Sequence, residues 1–320
     1  MSQEPKGPLG PPPIGVVYNT SMARPDAALT LSALHVSASR RAARMGAVCV
    51  TGAGLDTAIF CDIVARFYTA GSNRPPSSNS VLPIGLPAVS PMPSDPPMVE
   101  AAVKRKQANG DPQYVRTIQK MTDTALPEAV LRNGLTFNAE SVVLLSAAAT
   151  WMARAVELAS TSPEYKTRVK RFVIVEAGTA GQDPAALRKV LATSIGPLVF
   201  CGRDVGEALL FPGAQIDKGF EWAPANPVAD AYRAFKPMPY DAPSHDLAAA
   251  HYALHPGSGS FTLSEPGTLA VSDEGRITFS LGAGTVRRMS VDPAKKAECL
   301  AALVALATAK PVAPQGRGGV

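Results

Sequence analysis

Residues 14–29 read IGVVYNTSMARPDAAL. Ile14 to Tyr18 form an apolar run too short for a buried helix, and they read as a buried strand. Pro25-Asp26 follows within a few residues, a pairing suited to a helix's first turn, and Ala27, Leu31, Leu34 and Ala38 then recur at helical spacing as far as Arg44. A strand feeding directly into a helix is half of a βαβ unit, and the same alternation continues down the chain. AVCVT at 47–51 precedes a helix over 56–70, and 81–85 reads as a third strand. SVVLL at 141–145 leads into an Ala-rich helix over 147–159, and FVIV at 172–175 leads into a helix over 183–193. LVFC at 198–201 closes the parallel set. The expected fold is therefore α/β, an open and mostly parallel sheet flanked by helices.

Beyond residue 201 the pattern changes. Helices are expected over 223–235 and 245–254, on either side of the Pro-rich loop KPMPYDAPS. Short alternating segments at 260–263, 269–272, 276–281 and 286–291 suggest a small C-terminal antiparallel meander, followed by a helix over 294–309. This gives one domain over 14–309, with a flexible Pro-rich segment at 1–13 and a flexible tail at 310–320.

The 320 residues are 46% hydrophobic and 18% charged, a balance that excludes a disordered chain. The net charge of +5 is dispersed, and the densest basic runs, Lys104-Arg105-Lys106 and Lys166 to Arg171, carry no interleaved aromatics for stacking bases. They read as a solvated helix face, so no nucleic-acid partner is expected. No run approaches the ~20 apolar residues of a membrane span, so no membrane partner is expected either. The four cysteines are far apart without C-x-x-C spacing and read as buried thiols, which favours a reducing cytoplasmic compartment. MSQEPKGPLGPPP at 1–13 instead resembles the start of a mature chain after removal of an export signal.

In an open parallel sheet, ligands bind beyond the carboxyl ends of the strands. The residues there are Asn19, Thr20 and Ser21, then Thr51 to Ala53, Ser146, and Glu176 to Gly181. This set is poor in charge, and Asp26 with the pair His245-Asp246 are the ionisable groups expected to converge on it. Each also has a structural explanation: Asp26 suits a helix's first turn, and Asp246 suits the dipole of a helix that Ser244 would cap. Other chemistries find no support. No G-x-S-x-G elbow lies between a strand and a helix, and TGAGLDTA at 51–58 lacks the third glycine of a dinucleotide loop. His251 and His255 are four apart, but His255 precedes Pro256 and reads as a helix terminus.

Four segments in order resemble the inosine-uridine preferring nucleoside hydrolase family, over about residues 14–309. IGVVYNTSMARPDAAL matches the family's strand and D-T-D-P-G-x-D-D-A turn, and SVVLLSAAATWMARAVEL its strand, T-G-P-L-T-N turn and long helix. QDPAALRKVL and SHDLAAAHYALHP match its A-D-P-E-A-A and H-D-P-x-A helices. The resemblance implies a calcium-dependent N-glycosidase of ribonucleosides, assembled as a homodimer or homotetramer. In that chemistry the metal holds the attacking water and the ribose diol, and an aspartate takes the water's proton.

Carried onto this chain, the resemblance implies metal contacts from Asp26, Asp246, the Ser146 carbonyl and Ser21. It places ligand contacts at Asn19, Ala53 and Glu176, and a leaving-group acid at His245. The departures are substantial. Asn19 and Ser21 stand where the family has carboxylates, and Pro25 stands where it has the general base; a pyrrolidine ring accepts no proton. The expected reading is that hydrolysis is weak or lost, that calcium binds weakly or not at all, and that the cleft is kept for a nucleoside or another ribose-containing molecule. One alternative is a diverged active enzyme that uses Asp26 and Asp246 for the metal and a substitute base such as Asp241. The other is an interaction module using the Pro-rich segment 75–97.

Overall fold

Along the central strands alternate side chains point to opposite faces, and each face finds its own core. In β1 (Gly15–Thr20), Val16 and Tyr18 join one cluster and Val17 the other; Val142 and Leu144 divide from Val143 and Leu145 in the same way in β4 (Ser141–Leu145). The computed structural model describes residues 14–69, 82–89, 92–136, 138–161, 163–177, 180–193 and 196–312.

The parallel sheet also contains β2 (Arg44–Val50), β3 (Ile84–Gly85), β5 (Val169–Val175) and β6 (Leu198–Cys201). Later in the chain come the short pair β7 (Leu210–Phe211) and β8 (Ala242–Pro243), then β9 (Phe261–Leu263), β10 (Gly267–Val271), β11 (Ile277–Leu281) and β12 (Arg287–Val291). The eight-stranded sheet has the order β3-β2-β1-β4-β5-β6-β12-β9, parallel as far as β12 with β9 antiparallel at the edge. The α/β expectation is met. The C-terminal strands pair antiparallel as β10–β11 and β9–β12, but β6 does not end the parallel set: β12 returns to lie parallel beside it and buries Met289.

The first helix is Pro25–Ser39, shorter than the pattern suggested. Arg41 turns the chain at φ 59°, and Arg44 already belongs to β2. Residues Pro25 to Ser37 of this helix are all buried, because it packs between the sheet and the helices Leu55–Thr69, His245–Leu254 and Lys296–Thr308. The opposite face is covered by Pro127–Thr136, Thr150–Ser160 and Pro184–Thr193. The basic run at 104–106 follows the helix Pro97–Val103 rather than lying within it. Residues 1–13, 70–81, 90–91 and 313–320 lie outside the described residues, and with them 75–81 and 90–91 of the Pro-rich 75–97 segment. Among the described residues, no helix is long and apolar enough to cross a membrane. All four cysteines are buried and unpaired.

Candidate functional site

The strand order reverses at β1, whose neighbours are β2 and β4. This is the switch point where loops leave in opposite directions and open a crevice. After β1 the chain tightens: Thr20 Oγ1 accepts from the Met22 amide at 3.1 Å, and Met22 itself takes a left-handed φ of 51°. The turn delivers Arg24 to the position just before the first helix.

Arg24 is the centre of the buried polar cluster. Its Nη2 donates to Asp246 Oδ1 at 2.7 Å and to Ser146 Oγ at 3.3 Å. Its Nε donates to Asp26 Oδ1 at 3.2 Å, and its Nη1 to the Ala177 carbonyl at 2.7 Å. Ser146 Oγ also donates to Asp246 Oδ1 at 2.5 Å, and the Tyr18 hydroxyl donates to Asp246 Oδ2. Asp26 Oδ2 accepts from the Asp246 amide at 2.7 Å, so this carboxylate, rather than Ser244, satisfies the start of the helix His245–Leu254. Asp26 is 0% and Asp246 1% exposed.

The electrostatics follow from that burial. Burial pushes the Asp26 carboxyl above its ordinary range, and Arg24 opposes the shift. Burial also works against the charge on Arg24, but Asp246 and Asp26 outweigh it and hold the guanidinium more firmly protonated than usual. Burial, reinforced by Asp246, raises the Tyr18 phenol, which stays a donor.

The other expected site residues are distributed around this cluster. Asn19 is buried, with Nδ2 donating to Thr51 Oγ1 at 2.9 Å and Oδ1 accepting from the Ala147 amide at 3.2 Å; its amide ties together the turns after β2 and β4. Ser21 is buried beside them, and Ala53 offers only a methyl group. Glu176, half-buried, lines a depression of about 350 Å³ with Gln182, Arg203 and the β10–β11 turn. A second depression of about 430 Å³ lies beside Thr51, Val89, Thr150, Trp151 and Asp183, and Gln182 borders both. His245 is 6% exposed, its Nδ1 lacks a partner, and burial together with Arg24 lowers its pKa to about 4. Asp241 is exposed and accepts from the Gly213 amide at 3.0 Å, outside the cluster.

The residues present do not fit calcium. A hard divalent ion needs about six to eight oxygens, several of them anionic. Here the two carboxylates, one hydroxyl and one carbonyl that converge are already engaged by a guanidinium. Among the described residues, no three or more His, Cys, Asp or Glu side chains are grouped to hold a metal.

The chain superposes on an inosine-uridine preferring nucleoside hydrolase from Bacillus anthracis with a TM-score of 0.62, over 91% of this chain and 99% of that one, at 12% identity. A purine-preferring ribonucleoside hydrolase from Gardnerella vaginalis gives 0.61 over 92% and 99% at 16% identity, and a plant nucleoside hydrolase 0.61 over 93% and 100% at 15%. The chain has a nucleoside hydrolase-like fold. No family model matches the sequence, and no curated protein does.

Within the nucleoside hydrolase-like fold, three important residues were not singled out by sequence reasoning. Arg24 corrects the expectation that Asp26 and His245-Asp246 alone bring ionisable groups to the crevice. Its signal was a lone cation in an otherwise uncharged turn, at the unspecified position of the family's motif. Tyr18 reads as core in any strand pattern. Asp95 lies in a Pro-rich segment, yet it caps the helix Leu55–Thr69 by accepting from the amides of Gly54 at 2.9 Å, Asp56 at 3.1 Å and Thr57 at 2.9 Å. That carboxylate occupies the helix start where a dinucleotide loop would receive phosphate.

Proposed function

We propose that the protein binds a nucleoside or another ribose-containing molecule in the crevice beyond the carboxyl ends of β1 and β4, without hydrolysing it and without calcium. The observation that carries this reading is the engagement of both converging carboxylates, Asp26 and Asp246, by Arg24 and their other partners. A general base must reach the water proton at hydrogen-bond distance, and such a base contributes about 10²–10⁴-fold to the rate. Pro25 supplies no acceptor, and His245, its pKa lowered to about 4, carries no proton to give as a cation at neutral pH.

Binding requires less. Glu176, Gln182 and Thr150 offer hydrogen-bond groups to hydroxyls, and the half-buried Trp151 offers a ring face beside Val89 and Pro87. The purine-preferring and inosine-uridine preferring hydrolases that share the fold favour a nucleoside as the first ligand to try.

The test titrates the full chain with inosine and uridine while following tryptophan fluorescence, and assays released ribose in parallel with calcium and with chelator. We expect saturable quenching that Trp151→Phe removes, and no ribose above the uncatalysed rate in either condition. Calcium-dependent ribose release would overturn the reading, as would the absence of a saturable response to both nucleosides.

A further inference from the structure

The oxygens around Arg24 come from four separate segments. Asp26 lies in the first turn of Pro25–Ser39 and Asp246 in the first turn of His245–Leu254, while Ser146 follows β4 and the Ala177 carbonyl follows β5. Two closely placed buried carboxylates without a cation between them would repel each other across a poorly solvated space. The guanidinium fork answers this with separate nitrogens for separate partners: Nε for Asp26, Nη2 for Asp246 and Ser146, and Nη1 for Ala177.

Nothing local calls for arginine at this position. Arg24 is the residue before a helix, where Ser, Thr, Asn or Asp would cap the free amides, and its side chain makes no cap hydrogen bond. A cation there also opposes the helix dipole. What the position gains from arginine is tertiary, the joining of four segments through one charge.

We propose that Arg24 is a built-in cation. It holds the turns after β1, β4 and β5 against the helix His245–Leu254 permanently, and so replaces a dissolved metal ion as the organiser of the crevice. The inference rests on the metal-free reading above, and it adds which residue makes that reading structurally workable. It also implies that the cluster is a latent cation site: removing the guanidinium leaves two carboxylates, a hydroxyl and a carbonyl facing a vacated space.

The test measures melting temperature for the full chain and for Arg24→Ala, each alone, with millimolar calcium, with chelator, and with millimolar methylguanidinium. The wild type is expected to respond to none of the additions. Arg24→Ala is expected to melt lower by roughly 4–7 °C and to recover part of the loss with calcium or methylguanidinium. Should Arg24→Ala alone fold poorly, Arg24→Ala combined with Asp26→Asn removes one anion as well, and it is expected to be more stable than the single variant. An Arg24→Ala protein as stable as wild type overturns the proposal, as does one that neither cation rescues. A double variant no better than the single one also overturns it. Calcium raising the wild-type melting temperature would instead sink the metal-free reading, whereas a calcium-blind wild type with an unrescued variant sinks the built-in cation alone.

Discussion

Tyr18 Oη meets the one carboxylate oxygen of Asp246 that Arg24 does not reach. In Tyr18→Phe, Oδ2 loses this buried donor while the ring's packing is kept. We expect a loss of about 1–3 kcal/mol, read as a lower urea midpoint with an unchanged m-value. Asp95→Ala exposes a different dependence. Three amides at the start of Leu55–Thr69 lose their acceptor together, and a cost of about 1–2 kcal/mol is expected in the same unfolding measurement. Neither side chain was legible as a site residue in the sequence. Tyr18 and Asp246 are 228 positions apart, and Asp95 acts 41 positions from Gly54, so no local pattern encodes either contact. Asp26 and Asp246 were legible as charged helix starts, but their partner was not, because an arginine in a turn ordinarily points to water.

Short apolar runs and helical spacing identified most of the long elements to within a few residues: β4, β6 and His245–Leu254 occupy the expected positions, whereas the ten-residue helix Pro127–Thr136 was not expected. The short helices Arg203–Ala208 and Ala214–Gly219 escaped the pattern because a turn or two of helix carries too few apolar repeats to register. Arg203–Ala208 nevertheless shapes the site. A Cβ on Gly206 would fall 2.1 Å from His245 Nδ1, so the histidine ring lies directly on the glycine. Gly206→Ala improves helix propensity by about 0.5–1 kcal/mol yet forces a buried ring to move, and overpacking of this kind costs about 1–3 kcal/mol. The net effect expected is destabilisation. His245→Ala combined with Gly206→Ala removes the collision, so a double-mutant cycle is expected to show the alanine at 206 harmful only when the histidine is present.

Three buried histidines, His35 in the first helix and both His245 and His251 in the helix His245–Leu254, give the molecule a common response to acid. His35 is 5%, His245 6% and His251 7% exposed, and each has its pKa lowered from 6.5 to about 4. Burial is the first cause in all three; Arg24 adds to it at His245, and His255 at His251. The unfolded chain protonates these rings near 6.5 while the folded chain resists, so the stability they represent is fully present above 6.5 and is lost as pH falls toward 4. Each histidine removes about 1.4 kcal/mol per pH unit across that window. Asp26 acts in the opposite sense: its carboxyl is raised on folding, so its contribution grows on acidification and is lost as pH rises through its folded value. His255 is lowered by burial as well and the Asp56 carboxyl raised by it, so four histidines against two carboxyls leave a net loss toward acid. Urea unfolding followed from neutral pH down to about 4 is expected to show a continuous fall in stability, and His35→Gln with His251→Gln is expected to flatten it. A wild-type profile level across the window would mean that these rings accept protons in the folded chain as readily as in the unfolded one, and that the core around them is open to water.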